Sequence, residues 1–292
     1  MLKNKQSGGL APKQNRFKMI WRQYKKNPLS MFSLFLFLII ILLAVFADVL
    51  APYGEAEQIV SDRYVAPCLN HLFGTDNMGR DIFSRVLYGA RVSIIIGFVS
   101  TSVSAFFGII LGSLAGFYGG KTDNVIMRLL DIFMAIPNML MAIVLAATLG
   151  PGIFNCMLAV GITGIPAMSR ITRASIMTQR NQEYVESAYS NNAGDLRIIF
   201  KYILPNALSP IFVAVASNVA NSITVAASLS FIGLGIQPPN PEWGAMLAAG
   251  REYIMKYPWL CIFPGIAILL TVFSLNNIGD GLRDALDPRL KK

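Results

Sequence analysis

The stretch LFLFLIIILLAVF, residues 34–46, decides the fold class of this protein. It lies inside an apolar segment of residues 29–50, which is long enough to cross a bilayer, since a transmembrane helix takes about 20 mostly apolar residues. Over the 292 residues, 54% are hydrophobic and 14% are charged, whereas soluble domains average about 25% charged. The composition therefore predicts a membrane protein.

Five further apolar segments predict additional membrane spans. Their approximate bounds are residues 92–118, 125–149, 153–168, 207–236 and 259–278. The turn signal Gly150-Pro151-Gly152 separates the third span from the fourth. Long spans with few turn signals favour helices over a membrane β-barrel. We therefore predict an all-α membrane protein with six transmembrane helices.

The lysines and arginines indicate how these spans are oriented. With the amino terminus in the cytoplasm, 19 of the 25 basic residues fall in inner segments and six in outer segments. Cytoplasmic loops carry such an excess, so both termini are predicted inside, the N-in/C-in topology. Residues 1–28 form a basic tail suited to an anionic lipid surface. The net charge of +9 is thereby assigned to the membrane, and no nucleic-acid partner is expected.

The segment AGFYGGKT, residues 115–122, approximates the nucleotide-binding P-loop pattern. A P-loop requires a buried strand before it and a soluble helix after it. Here the segment instead joins the second and third spans on the inner side. The sequence therefore predicts a glycine turn with a cytoplasmic Lys121, and no nucleotide site.

Small residues recur at every fourth position of the second span. Such a stripe allows another helix to approach closely. Its members are Ser100, Ser104, Gly108, Gly112, Gly116 and Gly120. The stripe predicts tight helix packing and is silent on what the bundle carries.

The inner segment between the fourth and fifth spans, residues 170–206, is unusually long. Helix connections usually need about 2–8 residues, whereas this segment has about 35. Apolar residues at helical spacing lie on both sides of Asn191-Asn192-Ala193-Gly194, a run of helix-breaking residues. We therefore predict two short cytoplasmic helices separated by a bend.

Within this segment, Glu186-Ser187-Ala188, Asn192 and Ile203-Leu204-Pro205 resemble the EAA loop of ABC importer permeases. The family pattern is Glu-Ala-Ala, three residues, Gly, nine residues, then Ile-x-Leu-Pro. The wider sequence resembles the C-type permease subunit of dipeptide, oligopeptide and nickel importers. Supporting stretches are HLFGTDNMGRDIFSRVLYGARVS at 71–93, GLGIQPPNPEWGAML at 233–247 and DGLRDALDPRL at 280–290.

The resemblance implies a type I ABC importer transmembrane domain, with residues 92–292 as a permease core of five helices. The loop would couple to a separate ATPase. The implied coupling residues are Glu186, Ser187, Ala188, Asn192, Asp195, Leu204 and Pro205. Asn192 stands where the family has glycine, and asparagine tolerates a left-handed backbone best among the other residues. We therefore expect the bend to persist.

The resemblance also implies the partners and the location. They are a homologous second permease, two ATP-binding subunits and an external substrate-binding protein, in the cytoplasmic membrane of a bacterial or archaeal cell. This chain would not be an enzyme and would hold no cofactor, because ATP and Mg would bind to the partner ATPases. Peptides are the expected substrate, and nickel or a metal chelator remains an alternative.

A more distant alternative is an ion-coupled secondary carrier. Such carriers favour central acidic residues and repeated halves. Asp131 is the only acidic residue well inside a predicted span. It follows Arg128 by one helical turn, so we predict a structural ion pair between them.

The fifth span carries polar residues that fit two roles. Ser217, Asn221, Thr224 and Ser228 share one face, and Asn218 lies beside them. They would line a water-filled translocation path or bond neighbouring helices. The sequence does not choose between the two.

The external segment, residues 51–91, is predicted to contain an interfacial helix. Asp76 and Arg80, and likewise Asp81 and Arg85, have the acid-then-base spacing that supports a helix. The only histidine, His71, is expected to be a solvated loop residue. The three cysteines lack metal-ligand spacing, so no metal site is predicted.

Overall fold

The computed structural model describes residues 16–286, which form twelve α-helices and their connections. Residues 1–15 of the basic tail and residues 287–292 lie outside the described part. In the part described, helices fill the apolar segments and the only β pairing is an isolated bridge between Thr75 and Asp81. The prediction of an all-α fold is therefore confirmed.

The chain enters the bundle through three consecutive helices. They are α1 (Arg16–Tyr24), α2 (Pro28–Val45) and α3 (Ala47–Leu50). Asn27 caps α2, because its side-chain oxygen accepts hydrogen bonds from the next two available backbone amides. The predicted first span, residues 29–50, therefore corresponds to α2 and α3 together.

The second span is one helix of 37 residues, α4 (Ile82–Tyr118), about 55 Å long at the rise of an α-helix. The helix predicted in the external segment begins at Ile82 and is the first part of α4, not a separate element. Asp81 caps α4 by accepting from the Ser84 backbone amide, and Asp76 pairs with Arg80 in the preceding turn. Arg85 donates to the carbonyls of Glu55 and Pro239 instead of pairing with Asp81.

The third span is not the continuous helix that the sequence predicted. It consists of α5 (Gly120–Met134) and α6 (Asn138–Leu149), which meet at an angle of 86°. Pro137 is the last residue of the break, and proline disfavours helical backbone at the residue before it. Five helices are long and apolar enough to span a membrane, and this bent pair supplies the sixth.

The fourth and sixth spans extend beyond their predicted ends, whereas the fifth begins at residue 204 instead of 207 and ends at residue 231 instead of 236. The fourth is α7 (Ile153–Arg180), the fifth is α10 (Leu204–Phe231), and the sixth is α12 (Trp259–Leu286). In the fourth and sixth spans, polar residues prolong the helix beyond its apolar segment, so hydropathy marks the membrane-crossing part and not the helix end. A short helix, α11 (Trp243–Gly250), which the sequence analysis did not anticipate, lies between α10 and α12.

The small-residue stripe of α4 packs against α7, as predicted. A Cβ atom at Gly112 would lie 2.4 Å from the Ser169 carbonyl oxygen, and one at Gly108 would lie 2.6 Å from Met168. Gly116 is similarly close to the Arg173 carbonyl oxygen, at 2.9 Å. Gly120 is the exception, since nothing lies within 4 Å of its added Cβ. The other members of the stripe are all buried, namely Ser100, Ser104, Gly108, Gly112 and Gly116.

The AGFYGGKT segment forms the turn that the sequence predicted. Gly119 ends α4 with a φ of 64° and Gly120 opens α5 with a φ of 52°. Positive φ favours glycine, since other residues lose energy there. The segment follows a helix and not a strand, so it lacks the architecture of a P-loop.

The external segment folds back on the start of α4 and encloses His71. This side chain is only 3% exposed, so its assignment as a solvated residue was wrong. Its Nδ1 atom lies 3.0 Å from Asp81 Oδ1, and its Nε2 atom lies 3.5 Å from Asp62 Oδ2. The ring also stacks on Tyr53, with centroids 4.9 Å apart. These contacts hold the segment against the Asp81 cap of α4.

Candidate coupling surface and translocation cavity

The predicted coupling segment contains a short helix with a buried side and an exposed side. This helix, α8 (Glu183–Ser190), buries Val185 and Ala188 at 0% and 5% exposure. Glu186 and Ser187 are exposed. A carboxylate and a small hydroxyl side chain are thus accessible on one side of a helix that is anchored by the other.

Ala188 does not lie where the sequence interpretation placed it. Ser187 and Ala188 are both among the coupling residues that the resemblance implies. Ala188 instead belongs to an apolar cluster with Val185, Ile198 and Ile203, because it falls on the inward side of α8. Its small size therefore serves packing within this chain, and Ser187 is the small residue on the accessible side.

The bend after α8 is centred on Asn192. This residue has a φ of 55°, the left-handed conformation that the sequence predicts. The Ala193 amide donates to the Ala188 carbonyl at 3.1 Å, and the Asn192 amide donates to the Tyr189 carbonyl at 2.9 Å. These bonds satisfy helix-end carbonyls and fix the direction of the chain after the bend.

The remaining coupling candidates lie on the far side of the bend. Asp195 is exposed and begins the single turn α9 (Asp195–Arg197). A π-helical segment, Ile198–Ile203, then runs directly into α10. Leu204 and Pro205 are in the first turn of α10, so they lie where this π-helical segment becomes α10.

α8 is attached to the ends of three membrane-spanning helices. Its buried side contacts Phe117 near the end of α4 and the π-helical segment that leads into α10. Tyr189 stacks on Phe117 with ring centroids 6.4 Å apart. Tyr184 donates from its hydroxyl to Gln179 of α7 at 2.9 Å. A displacement of α8 would therefore act on α4, α7 and α10 together.

Two ion pairs join α5 to α7 in the same half of the molecule. Arg173 binds both carboxylate oxygens of Asp123, each at 2.5 Å. Asp131 pairs with Arg170, so the predicted pair with Arg128 was wrong. The close packing of α5 and α7 brings Arg170 to Asp131, a contact between distant positions that spacing along one helix does not reveal.

A cavity of about 810 Å³ lies between α7, α10 and α12. It runs along α10 from Asn206 to Asn221, a distance of about 22 Å at the helical rise. Its polar lining residues are Gln179, Asn206, Ser209, Ser217, Asn218, Asn221 and Arg283. This volume is within the usual range for small-molecule sites, about 300–1,000 Å³.

The polar residues predicted on the fifth span divide into two groups. Ser217, Asn218 and Asn221 line the cavity. Thr224 and Ser228 donate to backbone carbonyls one turn earlier in α10, at 3.0 and 2.8 Å. The latter two therefore satisfy their hydroxyls within their own helix and are not among the cavity-lining residues.

Asn218 lines the cavity and also bonds to a neighbouring helix. Its side-chain amide lines the cavity and donates to Ser104 Oγ of α4 at 2.8 Å. One polar side chain thus faces the cavity and also joins two helices.

The described residues contain no cluster of three or more histidine, cysteine, aspartate or glutamate side chains with the geometry to hold a metal ion. The cavity is lined by amide, hydroxyl and guanidinium groups together with apolar side chains. It is suited to bind polar organic groups by hydrogen bonding.

Glu242 is a buried acidic residue whose importance the sequence analysis missed. It is 1% exposed and caps α11 by accepting from the amides of Gly244 and Ala245, each at 2.9 Å. Ser93 of α4 also donates to it, at 3.3 Å. Burial raises the pKa of the Glu242 carboxyl, and these hydrogen bonds partly oppose the shift. The signal in the sequence was an acidic residue directly before a short apolar helix.

Comparison with known protein families shows which family this chain belongs to. Residues 108–292 match the family described as binding-protein-dependent transport system inner membrane component. The chain belongs to this family. Residues 15–67 also match the N-terminal transmembrane domain of oligopeptide transport permease C. The two matches cover the first span and most of the permease core.

Close relatives share almost the full length of the chain. The di/tripeptide transport system permease DppC of Pseudomonas aeruginosa is 43% identical over 280 residues, covering 94% of this chain and 92% of the relative. The probable D,D-dipeptide permease DdpC of Escherichia coli is 41% identical, covering 99% and 98%. A glutathione permease, GsiD of Escherichia coli, is 44% identical, covering 93% and 90%. The family resemblance from the sequence is confirmed.

Solved structures of similar shape support the fold. A chain of the MetNI methionine ABC transporter in an inward-facing conformation superposes with a TM-score of 0.58 at 15% identity, covering 72% of this chain and all of that one. An amino acid ABC transporter superposes with a TM-score of 0.54 at 13% identity, covering 69% and 94%. The likeness extends to the fold of ABC importer membrane domains.

Proposed function

We propose that this chain forms half of the translocation pathway of an ATP-driven importer of di- and oligopeptides. The observation that carries the proposal is the pair of exposed residues Glu186 and Ser187 on a bent helix anchored to three spans. This geometry provides a surface that a separate subunit can bind and displace. Membership of the binding-protein-dependent transport family gives that surface its context.

The mechanism follows from how α8 is attached. An ATP-binding subunit grips Glu186 and Ser187, and closure of two such subunits moves α8 as a rigid body. The apolar contacts of Val185 and Ala188 transmit the displacement to α4 and α10, and Tyr184 transmits it to α7. The cavity between α7 and α10 then closes to one side of the membrane and opens to the other.

The proposed assembly contains a homologous second permease, two ATP-binding subunits and an external substrate-binding protein. ATP and Mg bind to the ATP-binding subunits. In this chain, the segment that approximates a P-loop, residues 115–122, forms a glycine turn between two helices instead. The assembly lies in the cytoplasmic membrane of a prokaryotic cell. The second permease faces the open side of the cavity and completes the path.

Peptides fit the cavity better than nickel does. Its lining offers amides, hydroxyls and a guanidinium group, which hydrogen-bond to peptide groups and carboxylates. Nickel prefers imidazole and other metal-ligating side chains, and the described lining has neither histidine nor carboxylate. The names of the curated relatives, which refer to dipeptides, tripeptides and glutathione, favour the same substrate class.

The ion-coupled carrier is less consistent with the site. Asp131, the acidic residue considered for such a role, pairs with Arg170 and is about half exposed. Asp131 is also not among the residues that line the cavity. The half-exposed pair of Asp131 and Arg170 does not resemble a buried acidic site for a coupling ion.

Uptake by reconstituted vesicles tests the proposal. The complete assembly is placed in vesicles with its ATP-binding subunits, and the loaded binding protein is added outside. We expect accumulation of radiolabelled dipeptide only when ATP and the ATP-binding subunits are both present. Uptake driven by a proton or sodium gradient alone would contradict the proposal.

A further inference from the structure

The charge of the translocation cavity is carried by one residue, Arg283. It is the single charged side chain among the residues that line the cavity in the described part of the chain. The other polar lining groups are neutral amides and hydroxyls, so no lining carboxylate offsets the guanidinium group. The cavity is therefore electropositive where α12 borders it.

Arg283 lines the cavity from the last turn of α12, where its side chain is exposed. α12 touches α10 at Gly279, where an added Cβ would lie 2.9 Å from Ser217 Oγ. Arg283 follows Gly279 by four residues, which is one helical turn or about 6 Å toward the end of α12. Arg283 and Asn221 therefore lie about one helical turn from Ser217, in opposite directions along the cavity.

The acidic residues nearest to Arg283 in sequence do not neutralise it in the described structure. Asp280 and Asp284 are both exposed, and neither forms an ion pair with Arg283 among residues 16–286. Arginine presents a planar fork of donors that matches a carboxylate. An acidic side chain of a bound peptide provides such a carboxylate, whereas a basic side chain does not.

We propose that Arg283 is the carboxylate-contacting residue of the cavity and makes it favour anionic over cationic peptides. The proposal rests on the proposed function and names a specificity determinant for it. Arg283 holds the carboxylate from the α12 side while the amides of Asn218 and Asn221 bond to the peptide backbone. Because the other lining residues in the described part of the chain are neutral, reversing this one charge reverses the sign of the charge that they present to the cavity.

Uptake of three radiolabelled dipeptides that differ in charge tests this role. Ala-Asp, Ala-Ala and Ala-Lys are supplied to vesicles containing the complete assembly, each with saturating binding protein already loaded with that peptide. We expect Arg283→Glu to lower the Ala-Asp to Ala-Lys uptake ratio about tenfold, the factor that corresponds to 1.4 kcal/mol. Arg283→Gln should give an intermediate ratio, and Arg283→Lys should retain most of the wild-type ratio.

Arg128→Glu is the matched control, since Arg128 is exposed on α5 and is not among the cavity-lining residues. It makes the same charge change and should leave the ratio unaltered. Co-purification of all subunits verifies that each variant assembles. If Arg283→Glu lowers uptake of the three peptides equally, the inference is overturned and the proposed function stands. If the wild type shows no ATP-dependent peptide uptake, the proposed function itself fails, and the inference fails with it.

Discussion

Asn192 has the backbone conformation that glycine adopts most easily, with a φ of 55°. We predict that Asn192→Gly leaves ATP-driven uptake nearly intact, because glycine accepts this conformation without strain. Asn192→Val should lower uptake several-fold, since a left-handed conformation costs an ordinary residue about 1–2 kcal/mol and valine is β-branched. Vesicle uptake measures both variants. Loss of uptake in a fully assembled Asn192→Gly variant would show that the asparagine side chain has a role beyond the bend.

Gly112 marks the closest approach of α4 to α7. Gly112→Ala should destabilise the protein by about 1–3 kcal/mol, the usual cost of overpacking, because the new methyl group would meet the Ser169 carbonyl oxygen at 2.4 Å. Gly265→Ala is the matched control, with its nearest neighbour at 4.0 Å. The thermal unfolding midpoint in detergent should fall for the first variant and hold or rise for the second. Equal midpoints would refute the close packing.

At the residue scale, the sequence predicted conformation better than contacts. The left-handed Asn192 and the glycine stripe follow from backbone chemistry that is local to a helix or a bend. His71 and Asp131 were assigned incorrectly because their environments come from residues distant in sequence. Asp81 and Asp62 surround His71 only after the external segment folds back. Arg170 reaches Asp131 only when α5 packs on α7.

At the scale of elements, α11 depends on its buried cap. Glu242→Leu should destabilise the protein by about 1–3 kcal/mol, because the amides of Gly244 and Ala245 lose their buried acceptor. Glu242→Gln should cost less, since its side-chain oxygen keeps one acceptor in place. Thermal unfolding of the assembled complex separates the two variants. Similar midpoints for Leu and Gln would argue against the capping role.

Glu242 also predicts a dependence on pH. Its pKa is raised in the folded protein, so folding favours the protonated form. The resulting stabilisation is complete below the unfolded pKa and is lost as the pH rises through the folded pKa. Relative to Glu242→Gln, the wild type should therefore be more stable at about pH 5 than at about pH 8. A difference in unfolding midpoint that stays constant over this range would contradict the raised pKa.

Hydropathy predicted the number of elements more reliably than their limits. The six apolar segments correspond to five long helices and one bent pair. The break at Pro137 lies in a continuous apolar segment, where hydropathy carries no information on helix direction. The additional turns of α7 lie in polar sequence, where apolar content does not mark a helix end.

At the scale of the whole molecule, the proposed displacement of α8 by an ATP-binding subunit reaches the cavity through the helices that α8 contacts. α8 contacts helices on both sides of the cavity, while Asp123 and Arg173 connect α5 with α7. Neither the cavity nor these links were predictable from sequence, because they arise from the assembly of several helices. The coupling segment was predictable because its residue pattern is contained in one stretch.

The most direct test of the coupling role is cross-linking from α8 in vesicles that contain the complete assembly. Ser187→Cys and Leu69→Cys, the latter an external position 95% exposed, are introduced after replacement of the three native cysteines. With a short thiol cross-linker, Ser187→Cys should join to an ATP-binding subunit in a manner that changes with ATP, and Leu69→Cys should not. Absence of this product from Ser187→Cys, in vesicles that still import peptide with ATP, would contradict the account.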